Sequence, residues 1–449
     1  MVKVGIEAIA FDFPKIFLSV EEFATYRNQD ATKLTAGLGI QKISFPDIHQ
    51  DVVTFAANAL EKLVSQEDIS FSEIAKIYIG TESGVDSSKP IGSYLFNMME
   101  QKYGKGKLEH CDTTEFTFAC IGAVDAMHNA LDFIRCNPTE KVIVIATDFA
   151  KYDLNSTGEY TQGAGAIAML LSANPELIEI HPEIGISTEG VFDFFKPRRN
   201  FKEGAFSVET NIESNQIHES ELLVYKEQPV FDGAYSQKCY VSRTKNAYLQ
   251  LKKKLQTSEK LYENWDAIVM HLPYCFQARR SFIDIFAEEN PDLLESQPGE
   301  TLADKSKALY KSDAYATLVE NKIAKTESLS GIIGNIYTGS IFLAFLGYLF
   351  SYKDQNIANH SVGFIAYGSG SKSKAFIGSI GTFYEEKIAK LPFEEILSNT
   401  TPINFDTYVA LHTKNQKKSV VPPKKEWILQ RIEQSQPNLV GARYYQWID

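Results

Sequence analysis

Cysteine is scarce in this chain, and the cysteines present form no disulfide pattern. The 449 residues include five cysteines, an odd number, and no two of them are spaced as Cys-x-x-Cys. Such usage argues against a disulfide framework and fits a reducing compartment. The N-terminus also lacks a targeting signal, because Glu7 and Asp12 interrupt its apolar stretch and no basic region precedes it. We therefore expect a cytoplasmic protein.

Basic residues are also fewer than acidic residues. There are 45 lysines and arginines against 57 aspartates and glutamates, which gives a formal net charge of −12. This balance argues against broad binding of nucleic acid, so a site for an anionic ligand would need a local cluster of basic residues. With 44% apolar and 23% charged residues, the composition is that of a soluble globular protein.

One stretch without charged residues, residues 328–352, is long enough to cross a bilayer. Its first half contains glycines and polar residues typical of a loop, which leaves about a dozen apolar residues for a helix. The pattern therefore predicts a loop and then a helix buried in a soluble core, rather than a membrane span.

Strand-like and helical patterns alternate along the first 175 residues, which predicts an α/β layered sheet. A break at Asn174-Pro175 divides the chain into an N-terminal half, 1–175, and a C-terminal half, 176–449, with a packed tail from about residue 385. Residues 196–225 are expected to cross the surface. The predicted strands are 3–8, 76–80, 115–119, 141–147, 164–171, 267–271, 362–367 and 375–380, and the predicted helices are 51–63, 121–134 and 276–288.

Cys120 lies where the predicted strand 115–119 meets the helix that starts at residue 121. Apolar residues at helical spacing predict that helix, and the strand after it completes a βαβ unit. At a helix N-terminus, unpaired backbone N–H groups and the helix dipole favour a thiolate and can hold an oxyanion. Cys120 is therefore a candidate nucleophile. The alternative is a small buried apolar residue, the commonest state of a free cysteine.

Three other polar residues stand at positions suited to chemistry. Glu82 follows the strand 76–80 and His271 ends the strand 267–271, where α/β sheets present ligand-binding groups. A carboxylate there can act as a base, and a histidine can polarise a carbonyl group. Asn335 lies among glycines before the predicted buried helix, and its amide can donate to a thioester carbonyl. The alternatives are a solvated glutamate, a histidine bonded to backbone and a helix-capping asparagine.

Two further motifs give weaker indications of a functional site. Cys275 is a rival nucleophile four residues after His271, but its position gives a weaker indication of a helix N-terminus than that of Cys120. His110-Cys111-Asp112 contains side chains that can bind metal, yet neighbours in a strand point to opposite faces and no partner cluster lies at ligand spacing. We therefore expect no metal site.

A set of short motifs occurs in order along nearly the whole chain. They are Thr81-Glu82-Ser83-Gly84, Ala119-Cys120, residues 148–152, residues 161–166, His271-Leu272-Pro273-Tyr274, residues 334–340, and shorter matches that include Asp232-Gly233 and Gln430-Arg431-Ile432. Together these motifs resemble those of the hydroxymethylglutaryl-CoA synthase family.

The resemblance implies a thiolase-like fold, which is α/β with an αβαβα layered architecture built from two similar halves, and a homodimer. It also implies an acyltransferase of the mevalonate pathway to isoprenoids, which condenses acetyl-CoA with acetoacetyl-CoA without a metal or cofactor. Cys120 would be the acylated nucleophile, Glu82 the general acid/base, and His271 the residue that positions and polarises acetoacetyl-CoA. The acyl pocket would be lined by Tyr152, Thr161, Phe194, Asn335 and Ser340, and the candidate CoA-binding residues, chosen for their proximity to the motifs, are Arg198, Arg199, Arg279 and Arg280.

The match departs from the family pattern in two places. Residues 121–125 differ from the usual sequence after the cysteine, and Phe194-Phe195-Lys196-Pro197 stands where an aromatic-aromatic-Arg-Pro run is common. Both departures concern the shape of the acyl pocket rather than the reaction type. An alternative function is polyketide β-branching on a β-keto group held by an acyl carrier protein. Two others are a ketoacyl synthase or thiolase, which would not need Glu82, and a scaffold with an inert Cys120.

Overall fold

The computed structural model describes residues 2–202, 221–224, 226–398 and 400–449. The described strands are β1 Val4–Asp12, β2 Ile16–Ser19, β3 Lys42–Phe45, β4 Ile74–Gly80, β5 Asp112–Phe116, β6 Lys141–Phe149, β7 Ala164–Ala173, β8 Ile178–Ile180, β9 Gly185–Thr188, β10 Phe194–Phe195, β11 Arg199–Lys202, β12 Glu221–Val224, β13 Val230–Phe231, β14 Ala267–Met270, β15 Ser361–Gly368, β16 Lys372–Ile380, β17 Thr401–Ile403, β18 Glu426–Ile432 and β19 Arg443–Ile448. The described α-helices are α1 Val20–Arg27, α2 Ala31–Leu38, α3 Val52–Glu67, α4 Ile91–Tyr103, α5 Gly122–Cys136, α6 Gly233–Lys254, α7 Gln277–Ser281, α8 Ile283–Glu289, α9 Pro291–Glu295, α10 Leu302–Tyr310, α11 Asp313–Leu318, α12 Ser330–Ile333, α13 Ser340–Ser351, α14 Tyr384–Ala389, α15 Phe393–Ser398 and α16 Phe405–His412.

A single hydrogen-bonded path of strands connects the two halves of the chain. Its order is β14-β15-β16-β8-β1-β7-β6-β4-β5, with β9 paired to the side of β16. The short strand β8 makes the connection, because it pairs antiparallel with β1 of the first half and with β16 of the second. Parallel pairing of β4 with β5 and β6 brings the carboxyl ends of these strands to one edge, where a site can form.

Helices cover both faces of the strands and fill the space between the two halves. Helix α3 packs on β1, β6 and β7, while α6 packs on β9, β15 and β16. Helices α5 and α13 lie between these layers, where their apolar side chains share one core with strands of both halves. The result is an αβαβα arrangement, which confirms the predicted fold class.

The sequence identifies the central elements well but misplaces some of their ends. The predicted strand 115–119 is instead Asp112–Phe116, because Ala119 adopts a φ of +40° that a strand cannot accommodate. The predicted helix 276–288 is two helices, α7 and α8, which meet at Phe282. The ring of Phe282 is fully buried against Tyr262 at that junction.

The charge-free stretch 328–352 ends in a buried helix, as the sequence indicates. Helix α13 covers Ser340–Ser351, and all but its last two residues are buried. The segment before it is more ordered than a loop, since it contains helix α12 and a short 3-10 turn, Tyr337–Gly339. No helix in the described ranges is long and apolar enough to cross a membrane.

The C-terminal tail returns to the N-terminal half. Strand β17 pairs in parallel with β2, and β18 packs on α3. The side chain of Asn58 on α3 bonds to the backbone of Trp427, whose ring is buried. From α16, the His412 Nε2 atom lies 2.8 Å from the carbonyl oxygen of Tyr152, so the tail also supports a segment that carries a predicted site residue.

Candidate active site

Cys120 lies at a cavity of about 550 Å³ between the two halves. Strand β5 ends at Phe116, and the left-handed backbone of Ala119 turns the chain sharply before α5 begins at Gly122. This conformation is disfavoured for alanine and is typical of positions where a site constrains the backbone. The cysteine is 8% exposed and lines the cavity.

The Cys120 thiol is hydrogen-bonded to the Glu82 carboxylate. Its Sγ donates to Glu82 Oε1 at 3.0 Å. Burial raises the pKa of Glu82 from 4.5 to about 7. Burial and the neighbouring Glu82 also raise the pKa of the Cys120 thiol well above its usual value. The helix N-terminus, which was expected to favour a thiolate, is therefore outweighed by desolvation and the neighbouring carboxylate.

Asp148, at the end of β6, holds the loops around the site together. Its Oδ1 accepts from the Glu82 backbone N–H at 2.9 Å, and its Oδ2 accepts from the Thr338 backbone N–H at 3.0 Å. Hydroxyl groups add three further bonds, from Thr81, Ser83 and Thr338. The sequence assigned Asp148 no role of its own, although a carboxylate at the end of the apolar strand β6 was a usable signal.

Asn335 borders the cavity with its carbonyl oxygen already engaged. Asn335 Oδ1 accepts from the Tyr337 backbone N–H at 2.8 Å and from Ser340 Oγ at 2.9 Å. Ser340 Oγ in turn accepts from the Ile336 backbone N–H at 3.0 Å. Ser340 thus orients Asn335 and is not among the residues that line the cavity. The amide N–H groups of Asn335 are left as its donors.

His271 directly follows β14 and lines the cavity. It is 2% exposed, and its Nδ1 has no hydrogen-bond partner among the described residues. The Tyr240 hydroxyl donates to its backbone oxygen at 2.7 Å, which fixes the end of the strand. Burial lowers the pKa of His271 from 6.5 to about 3, so the ring is neutral near pH 7 and has an N–H group rather than a positive charge to offer a ligand.

Aromatic rings form a wall around the thiol. Tyr152 and Phe194, both predicted site residues, line the cavity with Thr161. Tyr337 and Phe231, which sequence reasoning missed, pack in the same cluster as Cys120, with ring centres 6.0 Å apart for Phe194 and Tyr337. Phe231 ends a two-residue strand and Tyr337 begins a single 3-10 turn, elements too short to give a periodic signal, so the sequence offered little to identify these two.

The four candidate arginines occupy different environments. Arg280 borders the cavity and donates to the Gly37 carbonyl oxygen at 2.7 Å. Arg279 instead pairs with the buried Glu327, with Nε 3.1 Å from both carboxylate oxygens. Arg198 is exposed and donates to Ser87 Oγ at 3.1 Å. The side chain of Arg199 lies outside the described part of the chain.

Lys196 is the clearest departure from the sequence-based expectation. It begins the segment 196–225, which was predicted to cross the surface, yet its side chain is 9% exposed. Its Nζ donates to the Glu82 backbone oxygen at 3.2 Å, so it belongs to the site. Residues 203–220 and 225 of that segment lie outside the described residues. Within the described ranges, no group of three or more His, Cys, Asp or Glu side chains is placed to bind a metal ion.

Comparisons with known proteins agree over most of the chain. The family profiles "Hydroxymethylglutaryl-coenzyme A synthase N terminal" and "C terminal" match residues 2–176 and 223–430. Hydroxymethylglutaryl-CoA synthase of Haloferax volcanii is 30% identical over 438 residues, 92% of each chain. That of Enterococcus faecalis is 28% identical over 410 residues, 91% of each chain. The solved structure of MvaS in complex with 3-hydroxy-3-methylglutaryl coenzyme A has a TM-score of 0.82 at 26% identity, over 100% of both chains. The fold is thiolase-like, as predicted.

Proposed function

Because the chain belongs to the hydroxymethylglutaryl-CoA synthase family, we propose that it condenses acetyl-CoA with acetoacetyl-CoA and releases hydroxymethylglutaryl-CoA. The observation that carries this proposal is the 3.0 Å contact between Cys120 Sγ and Glu82 Oε1 beside a cavity bordered by His271 and Asn335. A nucleophile, a base and N–H donors are the groups that acyl transfer and enolate chemistry require.

The first step transfers the acetyl group to the enzyme. Cys120 Sγ attacks the thioester carbonyl carbon of acetyl-CoA while the thiol proton passes to Glu82 Oε1. The new bond from sulfur to carbon forms, the bond to the CoA sulfur breaks, and Glu82 returns the proton to the leaving thiolate. The amide of Asn335 and the backbone N–H groups at the start of α5 are the donors suited to the transient oxyanion. Free CoA and acetyl-Cys120 result.

The second step forms the carbon–carbon bond. Glu82, ionised again, removes a proton from the acetyl methyl group, and the resulting enolate attacks the ketone carbon of acetoacetyl-CoA. The neutral ring of His271 donates an N–H bond to the ketone oxygen, where negative charge develops. The new alkoxide then takes the proton held by Glu82, which leaves the carboxylate ready for the next step.

The third step hydrolyses the enzyme thioester. Water adds to the carbonyl carbon attached to Cys120, and Glu82 accepts one water proton. The bond between that carbon and Sγ breaks, and Glu82 returns its proton to the thiolate. The new carboxyl group releases the second water proton to solvent, so the product leaves with a carboxylate. One water is consumed in each cycle. Arg280 at the cavity border is our candidate contact for the CoA part of the substrates.

The choice of acceptor separates this proposal from polyketide β-branching. Purified protein should form hydroxymethylglutaryl-CoA from free acetyl-CoA and free acetoacetyl-CoA, as detected by mass spectrometry. Carrier-bound acetoacetyl groups serve as the comparison. Condensation only on the carrier-bound acceptor would replace a mevalonate-pathway role with the carrier-protein reaction.

We further propose that this acyltransferase is a cytoplasmic homodimer. Strand β5 ends the path of described strands and pairs there with β4. Its outer backbone groups are suited to contact with a second copy, since exposed edge strands readily pair. Light scattering should give twice the mass of the chain, and a monomer mass at micromolar concentration would contradict the assembly.

A further inference from the structure

Lys196 is a buried cation held between the catalytic carboxylate and an aromatic ring. Its Nζ lies 4.0 Å from Glu82 Oε2, 3.2 Å from the Glu82 backbone oxygen and 4.4 Å from the centre of the Tyr337 ring. Burial of an ammonium group without a close ion pair is unfavourable unless other contacts compensate. All three contacts are made to residues of the site. Groups of the site therefore compensate for the free-energy cost of burying this ammonium.

Lys196 directly follows β10, the strand whose Phe194 forms part of the aromatic wall around the thiol. Strand β10, Phe194–Phe195, pairs with β13, Val230–Phe231, and Lys196 follows directly. Phe194 and Phe231 both line the cavity. The position of the ammonium is therefore set by backbone pairing next to the cavity rather than by a free surface loop.

The two oxygens of Glu82 face different groups. Oε1 accepts the hydrogen bond from the Cys120 thiol, whereas Oε2 faces the Lys196 ammonium. The negative charge of Asp148 opposes ionisation of Glu82, and Lys196 is the cation that acts in the opposite direction. Oε1 of Glu82 thus accepts the hydrogen bond from the thiol, and Oε2 interacts with the ammonium of Lys196.

The other titratable groups near the pair carry no charge near pH 7. Burial raises the pKa of both Tyr152 and Tyr337, so the two phenols stay protonated. Burial lowers the pKa of His271 to about 3, so its ring is neutral. Among the described residues, the charge balance at Glu82 is therefore set by Asp148 and Lys196.

From this geometry we propose that Lys196 is a positioning residue, which favours the ionised form of the Glu82 carboxylate and holds Oε2 so that Oε1 stays aimed at the Cys120 thiol. The inference rests on the proposed roles of Cys120 and Glu82. Lys196 touches no reacting atom and exchanges no proton, because it acts only through the charge and orientation of Glu82. Loss of the ammonium should therefore change the pH at which the pair becomes active more than the activity reached at high pH.

The test measures alkylation of Cys120 by iodoacetamide as a function of pH, with the modified peptide identified by mass spectrometry. Lys196→Met removes the charge at similar length, and Lys196→Arg retains it. Lys252→Met is a matched control, because Lys252 on α6 also pairs with a buried glutamate, Glu289, at 2.6 Å. The reagent is not a thioester, so the measurement does not depend on turnover.

In the unmodified protein, alkylation should rise with a midpoint near pH 7, as Glu82 becomes able to accept the thiol proton. In Lys196→Met the midpoint should move up by about one pH unit or more, which is the usual effect of losing a nearby opposite charge. Lys196→Arg and Lys252→Met should keep the original midpoint. If Lys196→Met does not fold, as judged by thermal unfolding, Lys196→Gln carries the same expectation.

An unchanged midpoint in the neutral variants would overturn the inference, and so would an equal shift in Lys196→Arg or Lys252→Met. Failure of the proposed function would look different. In that case the unmodified protein would form no acetyl adduct with acetyl-CoA, while the alkylation series would still report on Lys196.

Discussion

Glu82 and Glu327 invite comparison, because the fold buries both carboxyl groups and places a buried cysteine beside each. Glu82 follows β4 in the first half of the chain, and Glu327 precedes α12 in the second. Burial raises the pKa of both carboxyl groups from 4.5 to about 7. The net effect of burial and neighbouring groups on the pKa is therefore similar at the two positions.

The two glutamates differ in their partners. The Arg279 guanidinium contacts both oxygens of Glu327, and Cys275 donates to the Glu327 backbone oxygen at 3.3 Å rather than to the carboxylate. Glu82 instead receives the Cys120 thiol at 3.0 Å and has its nearest ammonium at 4.0 Å. A bidentate ion pair with arginine holds a carboxylate in place, whereas a thiol partner can give up its proton to the carboxylate. The partner, rather than burial, separates Glu327 from Glu82, the glutamate proposed to act as the base.

Replacing each cysteine should give the largest difference between the two regions. Cys120→Ala removes the nucleophile, so formation of hydroxymethylglutaryl-CoA should fall by at least about 10⁴-fold. Cys275→Ala should retain most of the activity, because its Sγ donates to a backbone oxygen and the residue does not line the cavity. Steady-state turnover of both variants checks this expectation. A similar loss in both would remove the distinction between the two cysteines.

Glu82→Gln should lose catalysis and gain stability. Without the base, acetylation of Cys120 should slow by about 10²–10⁴-fold. The folded state disfavours ionised Glu82, so the variant should be more stable at pH 8 by up to about 3 kcal/mol. This gain should shrink as pH falls from about 7 and vanish below 4.5, where the carboxyl group is protonated in both folded and unfolded states. Urea unfolding at several pH values measures this gain in stability. A gain independent of pH would contradict the raised pKa of Glu82.

Arg279→Met should have the reverse pattern. Loss of the guanidinium leaves the Glu327 carboxylate buried without its cation, which should cost about 2–3 kcal/mol of stability at pH 8. The cost should decline as pH falls through about 7, because Glu327 then becomes protonated in the folded unmodified protein as well as in the folded variant. Turnover should change little, because Arg279 is not among the residues that border the cavity.

Arg280→Met is the matched control for the neighbouring arginine. Arg280 is exposed at the cavity, so its loss should raise the KM for CoA thioesters several-fold and leave urea unfolding unchanged. A rise in KM for Arg279→Met with unchanged stability would instead assign Arg279 to CoA binding, as its sequence position suggested.

Removal of divalent metal ions should have the smallest effect. The chemistry proposed for Cys120 uses side chains and water alone, and we expect neither a metal nor a cofactor. Turnover after dialysis against EDTA should equal that of the untreated protein. A loss that added zinc or magnesium reverses would mean that Glu82 works with a Lewis acid and not as a lone base.

Local patterns were sufficient to find the elements that carry the reacting groups. Helical spacing placed α5 directly after Cys120, and the ends of two apolar strands marked Glu82 and His271. These signals are local in sequence, and the sheet then brings the strand ends together. Chemistry-bearing residues at strand ends were therefore within reach of sequence reasoning.

Sequence patterns could not predict the direction of individual side chains or the pairing of distant segments. Arg279 and Arg280 are adjacent in sequence, yet one α-helical residue turns about 100°, so one meets Glu327 and the other meets the cavity. The burial of Lys196 depends on the pairing of β10 with β13, which are separated by about 35 residues and are two residues long each. The thiol form of Cys120 follows from burial beside Glu82, a contact between distant segments.

The most direct test of the central claim is peptide mapping by mass spectrometry after brief exposure to acetyl-CoA at pH 8. The account predicts an acetyl group on Cys120 in the unmodified protein, and the same adduct formed far more slowly in Glu82→Gln. An acetyl group on another residue, or equal rates in the two proteins, would contradict the assignment of Cys120 as nucleophile and Glu82 as its base.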